Sequence, residues 1–197
     1  MEYVSATQAN DMIVTHHRDK LIQAIIFFAQ HTKHCGKTKL FKLLYLLDFE
    51  HFRQTGRNVT GLKYYAWEKG PVLVSLEDEW GEFKPDLDSA IQIKPERLFH
   101  YSRQTVVPQV AFDDSHFSKR ELKLMQEIAE KYRDHIATDM VDVTHAENGA
   151  WDKVWANGEG HNQLIDYRLS LEESPAKEHI ERTAEEYSEL LARVSAR

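Results

Sequence analysis

Apolar side chains recur every three or four positions through two stretches near the start of the chain, and this spacing predicts two consecutive helices. The first is expected from about Arg18 to His31, with Leu21, Ile22, Ile25, Phe28 and Ala29 on one face and Ala24 beside it. Ile26 and Phe27 widen that stripe, so the helix is expected to be covered on more than one side. The second opens at Lys37-Thr38 after Cys35-Gly36 and turns Leu40, Leu43, Leu44, Leu47 and His51 inward. A short glycine turn between them predicts an antiparallel pair. The first 15 or so residues are polar and unpatterned and are expected to be mobile.

Gly56-Arg57-Asn58 supplies the stop after the second helix. Tyr64 to Trp67 favours a strand; Gly70-Pro71 then breaks the chain, with Pro71 suited to the first turn of a helix reaching Phe83. Leu73, Leu76 and Trp80 would face inward from it. From Ala90 to Phe112, Ile91, Ile93, Val106 and Val110 give weak period-two signals in short strands broken by Pro95 and Pro108, which predicts a small hairpin. Ser118 and Glu121 have capping-box spacing and open a helix carrying Leu122, Met125, Ile128, Ala129 and Tyr132. A short helix from about Thr138 to Ala146, a turn bearing Trp151 and Trp155, and an extended Leu164 to Leu171 follow.

Ser174-Pro175 begins the last helix, whose narrow stripe is Ile180, Ala184, Tyr187, Leu191 and Val194. Glu178 with Arg182 and Glu189 with Arg193 support it from the exposed side. Such a stripe fits three uses: lying on its own domain, pairing with a second copy, or docking on a partner. The fold class expected is mainly α with a small β-hairpin (α+β). A flexible segment 1–17, a domain 18–171 and a C-terminal helical extension 172–197 divide the chain.

A chain of 197 residues with 42% hydrophobic content can bury one sizeable core. No apolar run approaches the roughly 18 residues of a membrane helix, and the start lacks a signal peptide's order of charges, so a cytoplasmic protein is expected. The single Cys35 allows no internal disulfide. The net charge of −7 is uneven: residues 1–69 hold ten Lys/Arg against six Asp/Glu, and the remainder fifteen against twenty-six. An acidic body repels phosphate backbones, which argues against nucleic acid as the main partner.

His31, His34 and Cys35 lie close together but lack a fourth ligand at a recognised zinc spacing, so no metal and no other cofactor is expected. The sequence contains no nucleophile elbow, Walker loop, dinucleotide glycine motif or His-Glu-x-x-His. Asp48 and Glu50, two apart, point in different directions on a helix, which disfavours a carboxylate pair. No catalytic residue is assigned, and an enzyme is disfavoured. Lys42, Tyr45 and Asp48 recur every three residues and can line one ridge beside Lys39. That ridge either covers apolar neighbours with lysine stems, anchors the strand after Gly61, or meets a partner. His145 precedes Trp151 and Trp155, and this group either caps a helix and fills core or presents an aromatic patch to a partner.

The run Lys39-Leu40-Phe41-Lys42-Leu43-Leu44-Tyr45 with Asp48, the Gly56 to Gly61 turn, Tyr64 to Ala66 with Gly70-Pro71-Val72, Ser118 with Glu121, and Thr144-His145 ahead of Trp151 occur in an order that resembles the Panacea domain. This is the SocA-like antitoxin family of bacterial and phage toxin–antitoxin systems. Family members often show Phe-Ala-Asp where this chain has Leu46-Leu47-Asp48, a change that keeps the helix face apolar. The resemblance implies a compact helical domain and an antitoxin that neutralises a genetically linked protein toxin by direct binding. The toxins of such systems include small alarmone-synthetase-like, translation-blocking proteins. A proteolytic adaptor that delivers its toxin to an AAA+ protease is the alternative it implies; a small enzyme or a DNA-binding regulator stands further off. Lys39, Lys42, Tyr45, Asp48, Trp151 and Trp155 are the expected partner-binding residues, and the C-terminal helix a possible site of self-association.

Overall fold

The computed structural model describes residues 6–98, 101–146 and 149–195. The first helix, α1, is Ala6–His31, so it begins well before the expected Arg18. Arg18 is therefore an interior position, where its guanidinium reaches Glu79 Oε1 at 2.6 Å and Asp86 at 2.8 Å. A polar N-terminal stretch is compatible with a helix when its anchors come from residues distant in sequence.

The second helix, α2, is Lys37–Thr55 and is enclosed on every side from Lys39 to Phe49. The expected inward stripe of Leu40, Leu43, Leu44, Leu47 and His51 is buried, but so are Phe41, Tyr45, Leu46 and Phe49. A helix buried all round occupies the middle of a core rather than its edge. It ends at Gly56, whose N–H donates to Phe52 O at 2.8 Å in a left-handed conformation, φ +73°. A Cβ there would lie 2.6 Å from the Ile180 carbonyl oxygen, so only glycine lets the C-terminal helix approach this closely.

The chain after Gly56 departs from expectation at Gly70-Pro71. Strand β1, Tyr65–Trp67, pairs antiparallel with β2, Gly70–Val72, in the register Tyr65↔Val72 and Trp67↔Gly70. Glu68 and Lys69 form the turn, and Pro71 lies inside a strand instead of starting a helix. Pairing with β1 on one side only leaves the other edge open, where proline is tolerated. Leu73 then precedes a short helix α3, Val74–Glu79, and α4, Pro85–Ala90, follows with proline in its first turn.

The expected hairpin is formed by β3, Ile91–Leu98, and β4, Tyr101–Pro108. Pro95 does not break it, because a two-stranded ribbon has only edges. Val110 lies past its end and is half exposed. Ile91 and Val106 bury its base, and Val106 N donates to Cys35 O at 2.9 Å.

Helix α5, Lys119–Lys131, has the full capping box: Glu121 N to Ser118 Oγ at 3.3 Å and Ser118 N to Glu121 Oε2 at 2.7 Å. Lys20 of α1 meets the same carboxylate at 2.6 Å, so the cap also locks two helices together. Helices α6, Ala137–Ala146, and α7, Ala150–Trp155, follow. Residues 162–165 run along β1, whereas Tyr167–Ser170 is a 3-10 turn, so only the first half of the expected extended segment is extended.

The last helix, α8, is Lys177–Ser195; Ser174 and Pro175 lie in the preceding turn rather than at its N-terminus. Its Ile180 and Ala184 pack with Phe52 and Leu171, so this part of its stripe lies on its own domain. Val194's side chain lies outside the described residues. Glu189 pairs with Arg193 at 3.2 Å, while Arg182 donates to His179 rather than to Glu178. No described helix is long and apolar enough to cross a membrane.

Candidate functional site

The three-residue spacing on α2 does place Lys39, Lys42, Tyr45 and Asp48 along one side of the helix, but inside the protein: their exposures are 0%, 2%, 0% and 0%. The polar tips of Lys39, Lys42 and Asp48 are each spent on a loop or strand. Lys39 Nζ donates to Lys33 O at 2.8 Å, Arg133 O at 3.0 Å and His135 O at 2.7 Å, matching the three protons of an ammonium. It joins the α1–α2 turn to the α5–α6 turn, and burial lowers its pKa.

Lys42 Nζ donates to Pro71 O at 2.8 Å. Burial pushes its pKa down to about 7, because a low-dielectric interior disfavours the charged form. Gly70 lies directly opposite, at φ +95°, where a Cβ would come within 2.7 Å of Lys42 Nζ and 3.0 Å of Thr144 Oγ1. Tyr45 packs against Phe49 with ring centroids 4.2 Å apart and meets Tyr64 edge-on at 5.4 Å.

Asp48 accepts four hydrogen bonds: from Val59 N and Thr60 N at 2.8 Å each, Thr60 Oγ1 at 2.5 Å and Tyr64 Oη at 2.7 Å. Burial raises its pKa, and these donors oppose the rise. Asp48 thereby anchors the chain on either side of Gly61, through Val59, Thr60 and Tyr64. Ala66, between those anchors and the Glu68-Lys69 turn, is fully buried.

The aromatic group divides in two. His145 does not cap its helix; its ring lies flat on the Trp151 indole, 3.7 Å between centroids and 2° between planes. Its Nε2 is buried without a hydrogen bond among the described residues, and burial, followed by the nearby Lys42 charge, lowers its pKa. Trp151 is buried and donates its Nε1–H to Trp67 O at 3.0 Å. Trp155 stacks on Trp151 at 5.6 Å but is only half-buried. Exposed His161 meets Trp155 at 6.0 Å and half-buried Trp67 at 6.3 Å, and Trp67 Nε1 donates to Asn162 Oδ1 at 3.3 Å. An aromatic ladder thus runs from the interior at His145 to an outer face made by Trp155, His161 and Trp67.

Trp67 and His161 were not singled out from the sequence, because the contacts joining them cross nearly half the chain. The strand-favouring run that ends at Trp67 was the one available signal. His31, His34 and Cys35 do not converge on a metal-binding geometry: His31 Nδ1 donates to Phe27 O at 2.8 Å, and Cys35 is buried with its thiol pushed up to about 11 by desolvation. Among the described residues no group of three His, Cys, Asp or Glu side chains is placed to hold a metal ion.

A family model described as antitoxin SocA-like, Panacea domain, matches residues 40–152. The span runs from Leu40 to Asp152, and leaves Lys39, Trp155 and α8 outside. Neither a curated protein nor a solved structure matches the chain.

Proposed function

Because the chain belongs to the antitoxin SocA-like Panacea family, we propose that it neutralises a cognate protein toxin by direct stoichiometric binding through the aromatic face of Trp155, His161 and Trp67. The observation that carries this reading is the ladder that backs that face. Trp155 is held by Trp151, which is fixed in turn by His145 and the Trp67 carbonyl, so the outer rings are pre-ordered before a partner arrives. Rigid aromatic groups lose little conformational freedom on binding and dominate protein–protein hot spots.

Lys39, Lys42, Tyr45 and Asp48 serve the same binding indirectly. Enclosed as they are, Lys42 and Asp48 hold the hairpin that presents Trp67 and the loop before it, Lys39 holds two turns elsewhere, and contact with the toxin is left to the outer rings. Sequestration needs no turnover. Co-expression with the genetically adjacent toxin tests the reading: growth is restored, both proteins co-elute, and Trp155→Ala with Trp67→Ala loses both effects while remaining folded. Rescue by the double variant equal to that of the native chain would contradict it.

A further inference from the structure

Residues 162–165 form a third strand-like segment beside β1. Asn162 N donates to Ala66 O at 2.7 Å, Ala66 N to Gln163 O at 2.9 Å and Ile165 N to Tyr64 O at 2.8 Å, with Leu164 opposite Tyr65. The bonds on either side of Leu164 are made by its neighbours, so Leu164 is the non-hydrogen-bonded member of an antiparallel pair. Such a residue aims its own N–H and C=O away from the strand it faces. The Leu164 N–H has no hydrogen bond among the described residues, and its side chain is 50% exposed.

Leu164 lines a groove of about 780 Å³ whose other wall is α8, through Tyr187 and Leu191. Arg57, Lys63 and Arg168 also line it, all exposed, in a protein whose net charge is −7. The acid among the lining residues, Asp166, accepts a hydrogen bond from Arg168 N at 2.8 Å. Arg57 is held over the Tyr187 ring at 4.9 Å. Arg168 also meets Glu185 of α8 in a long, exposed ion pair at 3.9 Å, so Arg57 and Lys63 carry most of the groove's positive charge, beside an open backbone edge and an apolar wall.

We propose that this groove takes an extended acidic segment of the toxin, added as a strand on the Leu164 edge. Its main chain bonds to Leu164, its carboxylates meet Arg57, Lys63 and Arg168, and its apolar side chains rest on Tyr187 and Leu191. Strand addition of this kind draws affinity from main-chain hydrogen bonds and specificity from alternate side chains. The proposal deepens the toxin-binding reading and rests on it.

The test uses the full chain and two synthetic peptides, one alternating glutamate with valine and one alternating lysine with valine, followed by fluorescence anisotropy. The acidic peptide should bind, the basic one should not, and Lys63→Glu with Arg168→Glu should weaken acidic binding at least ten-fold with an unchanged circular dichroism spectrum. Hydrogen exchange at the Leu164 amide should slow in the complex. No binding of the acidic peptide, equal binding of both, or an unprotected Leu164 amide would overturn the proposal. With the toxin itself, equal binding to the native chain and the groove variant overturns the groove alone; a toxin that binds neither overturns the functional reading as well.

Discussion

Lys42 Nζ reaches the Pro71 carbonyl at 2.8 Å, and this bond ties the central helix to the strand that begins at Gly70. An ammonium buried behind a hairpin sets the terms for its neighbours: the residue opposite it must lack a side chain, and its own charge becomes sensitive to pH near neutrality.

Gly70→Ala should therefore destabilise the protein by about 1–3 kcal/mol, from strain at a positive φ together with displacement of the lysine tip. The strain at φ +95° is local and the clash is with a side-chain end, so the fold should survive. Urea denaturation measures the loss. An unchanged midpoint would show that the strand tolerates a side chain there.

The pH dependence has a definite sign. Lys42 ionises at about 7 when folded against 10.5 ordinarily, so between those values the unfolded chain binds the proton and the folded chain does not. Stability contributed by this site then rises with pH, by up to about 1.4 kcal/mol per unit, and is flat below the folded value. In Lys42→Met that slope disappears. Unfolding free energies of both proteins at pH 7, 8 and 9 give the difference directly, and parallel profiles would contradict it.

Asp48→Ala leaves the buried Val59 and Thr60 amides and two hydroxyls without their acceptor, and should cost about 3–5 kcal/mol. Tyr64→Phe removes one donor and leaves the other three in place, for about 1–2 kcal/mol. Chemical denaturation of the pair should rank them in that order. Equal losses would mean that Tyr64, rather than the 59–60 loop, is what Asp48 secures.

Helix periodicity made α2 and α5 legible in the sequence, because Leu40, Leu43, Leu44 and Leu47 repeat at helical spacing and Ser118 with Glu121 is a local cap. The Gly70-Pro71 strand was not legible. Local preference places proline at a helix start, whereas pairing of Tyr65 with Val72 across a tight turn and the long-range Lys42 bond hold it extended. The ridge was visible by its spacing, but burial of all four of its residues was not, since nothing local shows that α2 is covered on every side. The outer aromatic face was half legible: Trp155 follows Trp151 by one helical turn, while Trp67 and His161 arrive only through folding.

Trp151 and Trp155 of that ladder should separate in experiment. Trp151→Ala empties a core site and should cost about 3–5 kcal/mol. Trp155→Ala and His161→Ala should each change stability by about 1 kcal/mol or less, yet weaken toxin binding ten-fold or more. Thermal melts beside calorimetric titration make the comparison. Native affinity in Trp155→Ala would remove it from the interface.

Titration of the toxin's activity against increasing amounts of this protein tests stoichiometric neutralisation most directly. Activity should fall linearly to zero at a fixed molar ratio, unchanged by longer incubation, with a complex of that ratio on size exclusion. Progressive loss of toxicity from a trace of the protein, with altered toxin and no complex, would contradict sequestration.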